Sequence, residues 1–376
     1  MTEPIPHVTV PSPLPPATPV EFPMTWLLDH ASNAIRYRAI VDVARFGADT
    51  VRAAAVLPYA HQPALALALA QSTDGIWNGS MLEVPPARGE PFERVGTINA
   101  FRRLLEYGWD KDSPPLTRTR RVLFRLLAED NDPAYLFEFA TRGERDPEMD
   151  RRGRAILREA AAAALAQAGY ELDPRLRGAA RRILDRVDGF LRSPLAQKPW
   201  VRVGNRQVLA AEATPPSIYA LAMLAHMPSF RTENHAQLDR LVHYLSQPLP
   251  RQELAQLCGS GIVAQPHLVL GDMLPNRNVA DADVPFALCW LELMARLTFL
   301  RRNETWSKLF DRFLDDRDRG LVWHPHKGMA MPKSTNPFVW PAFPLEQMTS
   351  GDERWTDVTF RLGLIARLSG RPLELT

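Results

Sequence analysis

The hydrophobic pattern of this chain is helical along almost its whole length. From Trp26 onward, segments of several turns carry apolar side chains at spacings of three and four, and strand-like alternation is scarce. Gly108 and Gly169 each follow an apolar stripe, and Asp173 precedes Pro174 as an N-cap precedes a first-turn proline. The sequence therefore predicts an all-α fold. The predicted helices cover about 32–45, 50–71, 97–107, 116–128, 150–168, 174–191, 215–226, 233–246, 251–258, 284–300, 304–315 and 352–368.

One part of this helical pattern repeats. Gly108 and Trp109 correspond to Gly169 and Tyr170, 61 residues later, and the helix that follows begins near a proline both times. Helical hairpins of this kind cannot bury their apolar faces alone and stack on neighbours. The repeat predicts a helical-hairpin array with two layers of helices. The alternative is a chance similarity between two amphipathic helix pairs.

Proline content separates the start of the chain from the rest. Residues 1–24 hold eight prolines, a composition that favours a disordered or extended polyproline-like arm. The remainder of the 376 residues is long enough to bury a large core without metal or disulfide. We predict an arm over 1–24 and a single helical domain over 25–376, or one divided near 192–214.

Charge and cysteine content argue against several classes of partner. The 45 basic and 43 acidic residues leave a formal net charge of +2, which supplies no field for binding nucleic acid. No apolar run reaches the length of about 20 residues that a membrane-spanning helix needs. Cys258 and Cys289 cannot form a disulfide framework and are typical of a reducing compartment. We expect a cytoplasmic protein with no nucleic-acid partner and no transmembrane segment.

The segment from Gln71 to Trp77, with Gly75 between them, fits the pattern QxxxGxW once in the chain. It resembles the QW motif of the squalene-hopene cyclase and protein prenyltransferase superfamily, whose domains are rings of helical hairpins. The resemblance implies an α/α toroid in which Gln71 and Trp77 tie one helix end to the next hairpin and Gly75 permits a tight turn. It is best from Trp26 to about Leu191. The motif is structural and implies nothing about activity.

A degenerate catalytic motif follows from the same resemblance. Cyclases of this superfamily that start by protonation carry DxDD, and the sequence at 281–284 is Asp-Ala-Asp-Val. The resemblance implies that Asp283, assisted by Asp281, donates a proton to an alkene. Val284 and Pro285 depart from the motif. Because acidic residues before a first-turn proline commonly start helices, the alternative is that Asp283 or Asp281 is an N-cap.

Metal-ligand patterns are incomplete. Zinc-dependent prenyl transfer needs an aspartate two residues before a ligating cysteine, and neither Cys258 nor Cys289 has one, so both are interpreted as small core residues. His324 and His326 resemble a metal-binding fragment, but no nearby pattern of cysteines or acids completes it. The sequence predicts neither a metal nor a cofactor.

Aromatic residues and prolines alternate between Trp323 and Trp355. Such side chains either wall a pocket or seal the end of a helical array, and both interpretations stay open. If they form a pocket, we expect Trp323, Trp340, Phe343 and Glu346 to bind the ligand, since Glu346 is the acid closest to these rings in sequence.

Two functions from different classes follow from these patterns. The first is a toroid-like protein whose apolar central cavity binds, and as an enzyme would process, an isoprenoid or other hydrophobic small molecule; the reaction would then be a terpenoid-cyclase-like isomerisation. The second is a non-catalytic helical-repeat scaffold that binds another protein. A sugar-active helix barrel is a third alternative, although no pair of carboxylates has a motif for it. Acidic groups that converge on an apolar, water-excluding cavity would favour the first.

Overall fold

A computed structural model describes residues 18–86, 92–128, 147–248, 254–259, 261–325, 334, 336–346 and 350–376, and the statements below concern these residues. This part of the chain is mostly helical, in agreement with the predicted fold class at that coarse level. The helices are α1 (Met24–His30), α2 (Asn33–Arg38), α3 (Ala48–Ala54), α4 (Gln62–Leu69), α5 (Thr97–Glu106), α6 (Pro114–Leu126), α7 (Pro147–Gln167), α8 (Pro174–Arg192), α9 (Ile218–Ala225), α10 (Pro228–Glu233), α11 (His235–Leu245), α12 (Arg277–Ala282), α13 (Val284–Arg296), α14 (Glu304–Asp315) and α15 (Thr356–Leu368).

Six short strands qualify the all-α prediction. They are β1 (Val20–Phe22), β2 (Trp200–Val203), β3 (Arg206–Leu209), β4 (Ala255–Cys258), β5 (Gly261–Ala264) and β6 (Leu373–Leu375). β1 and β6 form a parallel pair, and the other four form a sheet in the order β2-β3-β4-β5. The helix predicted over 251–258 is wrong in the described part of that range, because residues 255–258 pair with β5 as an antiparallel strand.

Two helical hairpins lie where the sequence repeat predicts them. α5 and α6 form the first, α7 and α8 the second, and the first helix of each ends at a glycine with positive φ, +90° at Gly108 and +81° at Gly169. The backbone N–H of Trp109 donates to the Leu104 carbonyl, and that of Tyr170 donates to the equivalent Leu165 carbonyl. The left-handed cap reverses the chain identically both times. α7 packs on both α5 and α6, so the hairpins stack.

The two ends of the described chain meet. Residues 20–22, which belong to the predicted arm 1–24, form β1 and pair in register with β6. The ring of Phe22 lies against Gly363 of α15, where a β-carbon would come within 2.2 Å of the ring. Only glycine allows this contact without displacing the strand. The rest of the arm, residues 1–17, lies outside the described part of the chain.

One apolar core runs through the helices and positions the site. Its members extend from Val20 in β1 to Ala366 in α15. The middle of α7 is a run of alanines over 160–164, all buried, and α9 packs closely against this helix. Small side chains at a helix contact shorten the interaxial distance. Among the described helices, none is both long and apolar enough to cross a membrane.

Candidate functional site

A cavity lies between α5, α9 and α13 and is closed on one side by residues 338–342. We call it the central cavity. It contains about 70 Å³ of space that the centre of a water molecule can enter. The apolar part of its wall includes Ile218, Ala222, Phe286, Trp290, Leu293 and Phe338. The polar part includes Arg102, Glu106, Gln167, His226, Glu292 and Arg296.

Helical spacing explains why these side chains share one space. Arg102 and Glu106 are four residues apart on α5, and Glu292 and Arg296 are four apart on α13. Residues separated by three or four positions project from the same face of a helix. Each helix therefore presents an acid and an arginine to the cavity, next to apolar neighbours on the same face.

Arg361 of α15 lies behind the cavity wall and joins the two acids. Its side chain is fully buried, with Nη1 donating to Glu292 at 2.6 Å and Nη2 donating to Glu106 at 2.9 Å. Arg38 also donates to Glu106, at 2.9 Å, and Arg296 donates to Glu292, also at 2.9 Å. These five residues form what we call the buried ionic network. It links α2, α5, α13 and α15.

The network keeps both acids ionised. Burial raises the pKa of Glu106, but Arg38 and Arg361 outweigh it and hold this pKa well below its usual range. Burial likewise raises the pKa of Glu292, and Arg361 with Arg296 outweighs it and lowers the pKa. An ionised carboxylate accepts hydrogen bonds but donates none. Neither acid is therefore suited to donate a proton at neutral pH.

Arg102 differs from the arginines of the network. Its Nε donates to the Gln167 side-chain oxygen at 2.9 Å, and the Gln167 amide nitrogen donates to Glu106 at 2.7 Å. Burial lowers the pKa of the Arg102 guanidinium, and the attraction of Glu106 only partly offsets this. Gln167 thus bridges Arg102 to Glu106 while leaving the rest of the guanidinium at the cavity wall.

Two further groups at the cavity are electrically neutral. Burial, reinforced by Arg296, lowers the pKa of His226 to about 3, and its Nδ1 lies 2.9 Å from the Ala222 carbonyl. The carbonyl only accepts, so Nδ1 carries the proton. Burial raises the pKa of the Cys289 thiol to about 12, which leaves it protonated and weakly nucleophilic.

The aspartates of the degenerate motif lie elsewhere. Asp283 caps α13, with its side-chain oxygen accepting from the Phe286 backbone N–H at 3.0 Å, so the capping prediction is confirmed. Asp281 pairs with Arg312 at 2.5 Å and with Arg277 at 3.2 Å. Neither aspartate lines the central cavity. The contacts of Asp283 are therefore those of a helix N-cap and not those of a proton donor in a cavity.

The four predicted ligand-binding residues also lie off the cavity wall, although the neighbouring residues 338, 339 and 342 line it. Trp323 and Phe343 are buried in the core, and Trp323 packs edge-on against Trp355. Trp340 stacks under the Arg103 guanidinium, 5.0 Å from its ring centre. The Glu346 carboxylate accepts from the Ser32 backbone N–H at 3.1 Å. These four side chains therefore pack against other parts of the protein and do not line the central cavity.

The residues of the QxxxGxW segment make structural contacts. Trp77 is fully buried, and its indole N–H donates to the Leu67 carbonyl at 2.7 Å. The Gln71 amide donates to the Pro115 carbonyl at 2.9 Å, which ties the end of α4 to the start of α6. Gly75 has φ +81°, a backbone conformation that favours glycine.

Of the two histidines in the metal-like fragment, the structure describes His324. His324 lies 2.9 Å from the Asp318 carboxylate, and His326 lies outside the described residues. In the part of the chain that the structure describes, no group of three or more histidine, cysteine or acidic side chains is arranged to hold a metal ion.

Sequence reasoning missed the residues that line the cavity. The available signal was charge inside an apolar stripe: Glu292 and Arg296 interrupt the longest apolar run of the chain, and Arg361 interrupts the apolar helix near its end. Buried charges are rare unless they are paired. That signal identifies Glu292, Arg296 and Arg361 as unusual positions but does not show which residues they pair with.

Comparison of the chain with protein-family models, with curated proteins and with solved structures found no match. Function is therefore inferred from the shape and the side chains of the central cavity.

Proposed function

We propose that this protein binds a small, largely apolar molecule in the central cavity. The observation that carries the proposal is the wall itself, in which aromatic and aliphatic side chains meet a few convergent polar groups in a partly enclosed space. Ligand sites in proteins have this composition, with apolar surface supplying contact and a few polar groups fixing orientation.

Size restricts the ligand. A cavity needs roughly 10–15 Å³ to hold one water molecule, so a space of about 70 Å³ has room for a small molecule only. A polyisoprenoid chain would need several times this space. We therefore propose a ligand of a few carbons instead of the isoprenoid that the sequence analysis expected.

The titration states favour binding over acid catalysis. Glu106 and Glu292 are held ionised, while His226 is neutral and Cys289 stays protonated. A cyclase-like start needs a protonated acid against the substrate, and none of these four groups supplies one at neutral pH. We propose a binding protein with no isomerase activity.

We also keep the ring arrangement of the hairpins as part of this proposal. The two hairpins stack on each other, and the β1–β6 pair joins the two ends of the described part of the chain. α15 packs on both α1 and α13. A closed ring would place the cavity near its centre.

The test compares the binding of small fragments to the wild-type protein and to a variant in which a larger side chain fills the cavity. Saturation-transfer NMR with isobutanol, isobutyramide and isobutyrate is expected to show contact with the wild-type protein. Ala222→Leu adds three carbons at the wall of a cavity of about 70 Å³ and should abolish the signals. Ala53→Leu, on the exposed side of α3, is the matched control and should retain them.

Thermal denaturation of both variants checks that each is folded. The proposal fails if none of the three fragments contacts the wild-type protein, or if Ala222→Leu leaves every signal unchanged.

A further inference from the structure

We infer that the molecule bound in the central cavity carries one negative charge, a carboxylate, and that Arg102 receives it. The inference rests on the proposed function and narrows its ligand to short-chain monocarboxylates. The observation that carries it is a difference in partners among the arginines around the cavity.

Each arginine of the buried ionic network contacts a carboxylate. Arg38 contacts Asp42 and Glu106, Arg296 contacts Glu292, and Arg361 contacts both glutamates. Arg102 donates only to the neutral Gln167 amide, and no carboxylate oxygen of a described residue forms an ion pair with it. Largely buried arginines usually pair directly with an acid, whereas Glu106 is joined to Arg102 only through the Gln167 amide.

The side chain of Arg102 is also held in place for such a contact. Gln167 accepts from Arg102 through its oxygen and donates to Glu106 through its nitrogen, and because a carboxylate only accepts, the Gln167 amide has one orientation. Nε is thereby occupied, and the terminal nitrogens have no acceptor among the described residues. The planar guanidinium matches a carboxylate in geometry and charge.

A second donor at the cavity lacks an acceptor. Trp290 lines the cavity and is buried, and its indole N–H has no hydrogen-bond partner among the described residues. Buried indole N–H groups usually find a partner. Trp290 and Arg102 line the same cavity, so both of these groups without an acceptor are hydrogen-bond donors, which suits a ligand that accepts hydrogen bonds.

The surroundings favour a monoanion over a phosphate. Glu106 and Glu292 lie close enough to act on Arg102 electrostatically, and because their repulsion of a bound anion grows with its charge, they disfavour a dianion more than a monoanion. The available volume favours a carboxylate on a chain of a few carbons, with the chain against Phe286 and Leu293. Isobutyrate has this form.

The experiment compares isobutyrate with isobutyramide, which has nearly the same shape and no charge. Titrations at pH 7.5, followed by NMR or calorimetry, are expected to give at least about tenfold tighter binding of the acid to the wild-type protein. Arg102→Met should remove the preference and leave both fragments with the weaker affinity. Arg102→Lys keeps the charge and should retain part of the preference.

Arg181→Met is the matched control. The Arg181 guanidinium also donates to a side-chain amide oxygen, that of Asn234 at 2.6 Å, but it lies on the exposed surface of α8 away from the cavity. This variant should keep the full preference for isobutyrate.

The outcomes separate the inference from the proposed function. Equal affinity for acid and amide in the wild-type protein, with both lost in Ala222→Leu, overturns the carboxylate inference and leaves the cavity as a neutral-ligand site. An acid preference that persists in Arg102→Met overturns the role of Arg102. If neither fragment binds, the proposed function fails together with the inference.

Discussion

Replacing Arg361 by methionine is expected to destabilise the fold strongly. The side chain is fully buried and makes ion pairs with Glu292 at 2.6 Å and with Glu106 at 2.9 Å. Removing one partner of a buried ion pair costs about 3–5 kcal/mol, because the remaining charge is left without compensation. Each glutamate keeps one other arginine, Arg38 or Arg296. We therefore expect the cost of about one lost pair, about 3–5 kcal/mol, rather than two.

Equilibrium urea unfolding measures this cost. Arg367→Met on the same helix is the control, since Arg367 is partly exposed and donates to the Val43 carbonyl at 2.8 Å. Losing that hydrogen bond should cost about 1 kcal/mol. Glu292→Gln in the Arg361→Met background removes a buried charge that has lost one of its two arginines and should recover part of the loss, a coupling that a double-mutant cycle isolates.

The cost should also depend on pH. In the wild-type protein, burial raises the pKa of Glu292 but Arg361 and Arg296 lower it further, so this stabilisation is present at neutral pH and is lost as pH falls through the lowered pKa. Without Arg361, the effect of burial is opposed less strongly and the pKa of Glu292 rises. Protonation of Glu292 at mildly acidic pH then removes the poorly paired charge and reduces the loss of stability in the variant. The difference in stability should shrink between pH 7.5 and pH 5. A difference below about 1 kcal/mol, or one equal at both pH values, would refute the charge-compensating role of Arg361.

Three further substitutions test the local structure. Trp77→Ala should cost about 3–5 kcal/mol in urea unfolding by leaving a cavity, and an unchanged transition midpoint would contradict the packing described here. Gly75→Ala should destabilise more than Gly79→Ala, since both have positive φ but only at Gly75 would a β-carbon come within 3.0 Å of neighbouring backbone; equal thermal midpoints would argue otherwise. Asp283→Asn should cost a few tenths of a kcal/mol and Asp283→Ala about 1 kcal/mol, and the reverse order in thermal unfolding would exclude capping.

Local patterns predicted the hairpins because their causes are local. A helix that ends at Gly108 or Gly169 does so because the next turn needs a left-handed residue, and that requirement can be recognised within a few positions. The β2–β3 hairpin has a comparable local signal, apolar alternation on either side of Gly204 and Asn205, but the sequence analysis predicted no strand there. β4 pairs mainly with the next strand, β5, and through one residue pair with the distant β3, so only part of its pairing is local.

The candidate site could not be predicted in the same way. Charge within the apolar stripes marked Glu292, Arg296 and Arg361, but the Arg361–Glu106 contact joins residues 255 positions apart. Arg38 reaches Glu106 across 68 positions. The spacing within a helix says which side chains share its face and nothing about which distant helix will lie opposite. The same limitation led sequence reasoning to Trp323 and Glu346, which lie near the cavity in sequence and off its wall in space.

The order of residues thus decided the helical character of the chain, the glycine caps after α5 and α7 and the start of α13 at Asp283, because each depends on neighbours within a few turns. The tertiary packing decided which arginines pair with the ionised Glu106 and Glu292 and left Arg102 with an amide as its partner. It also left the space between α5, α9 and α13 open. The physical reason is that the cost of burying a charge depends on what surrounds it in three dimensions. Only the folded chain brings those surroundings together.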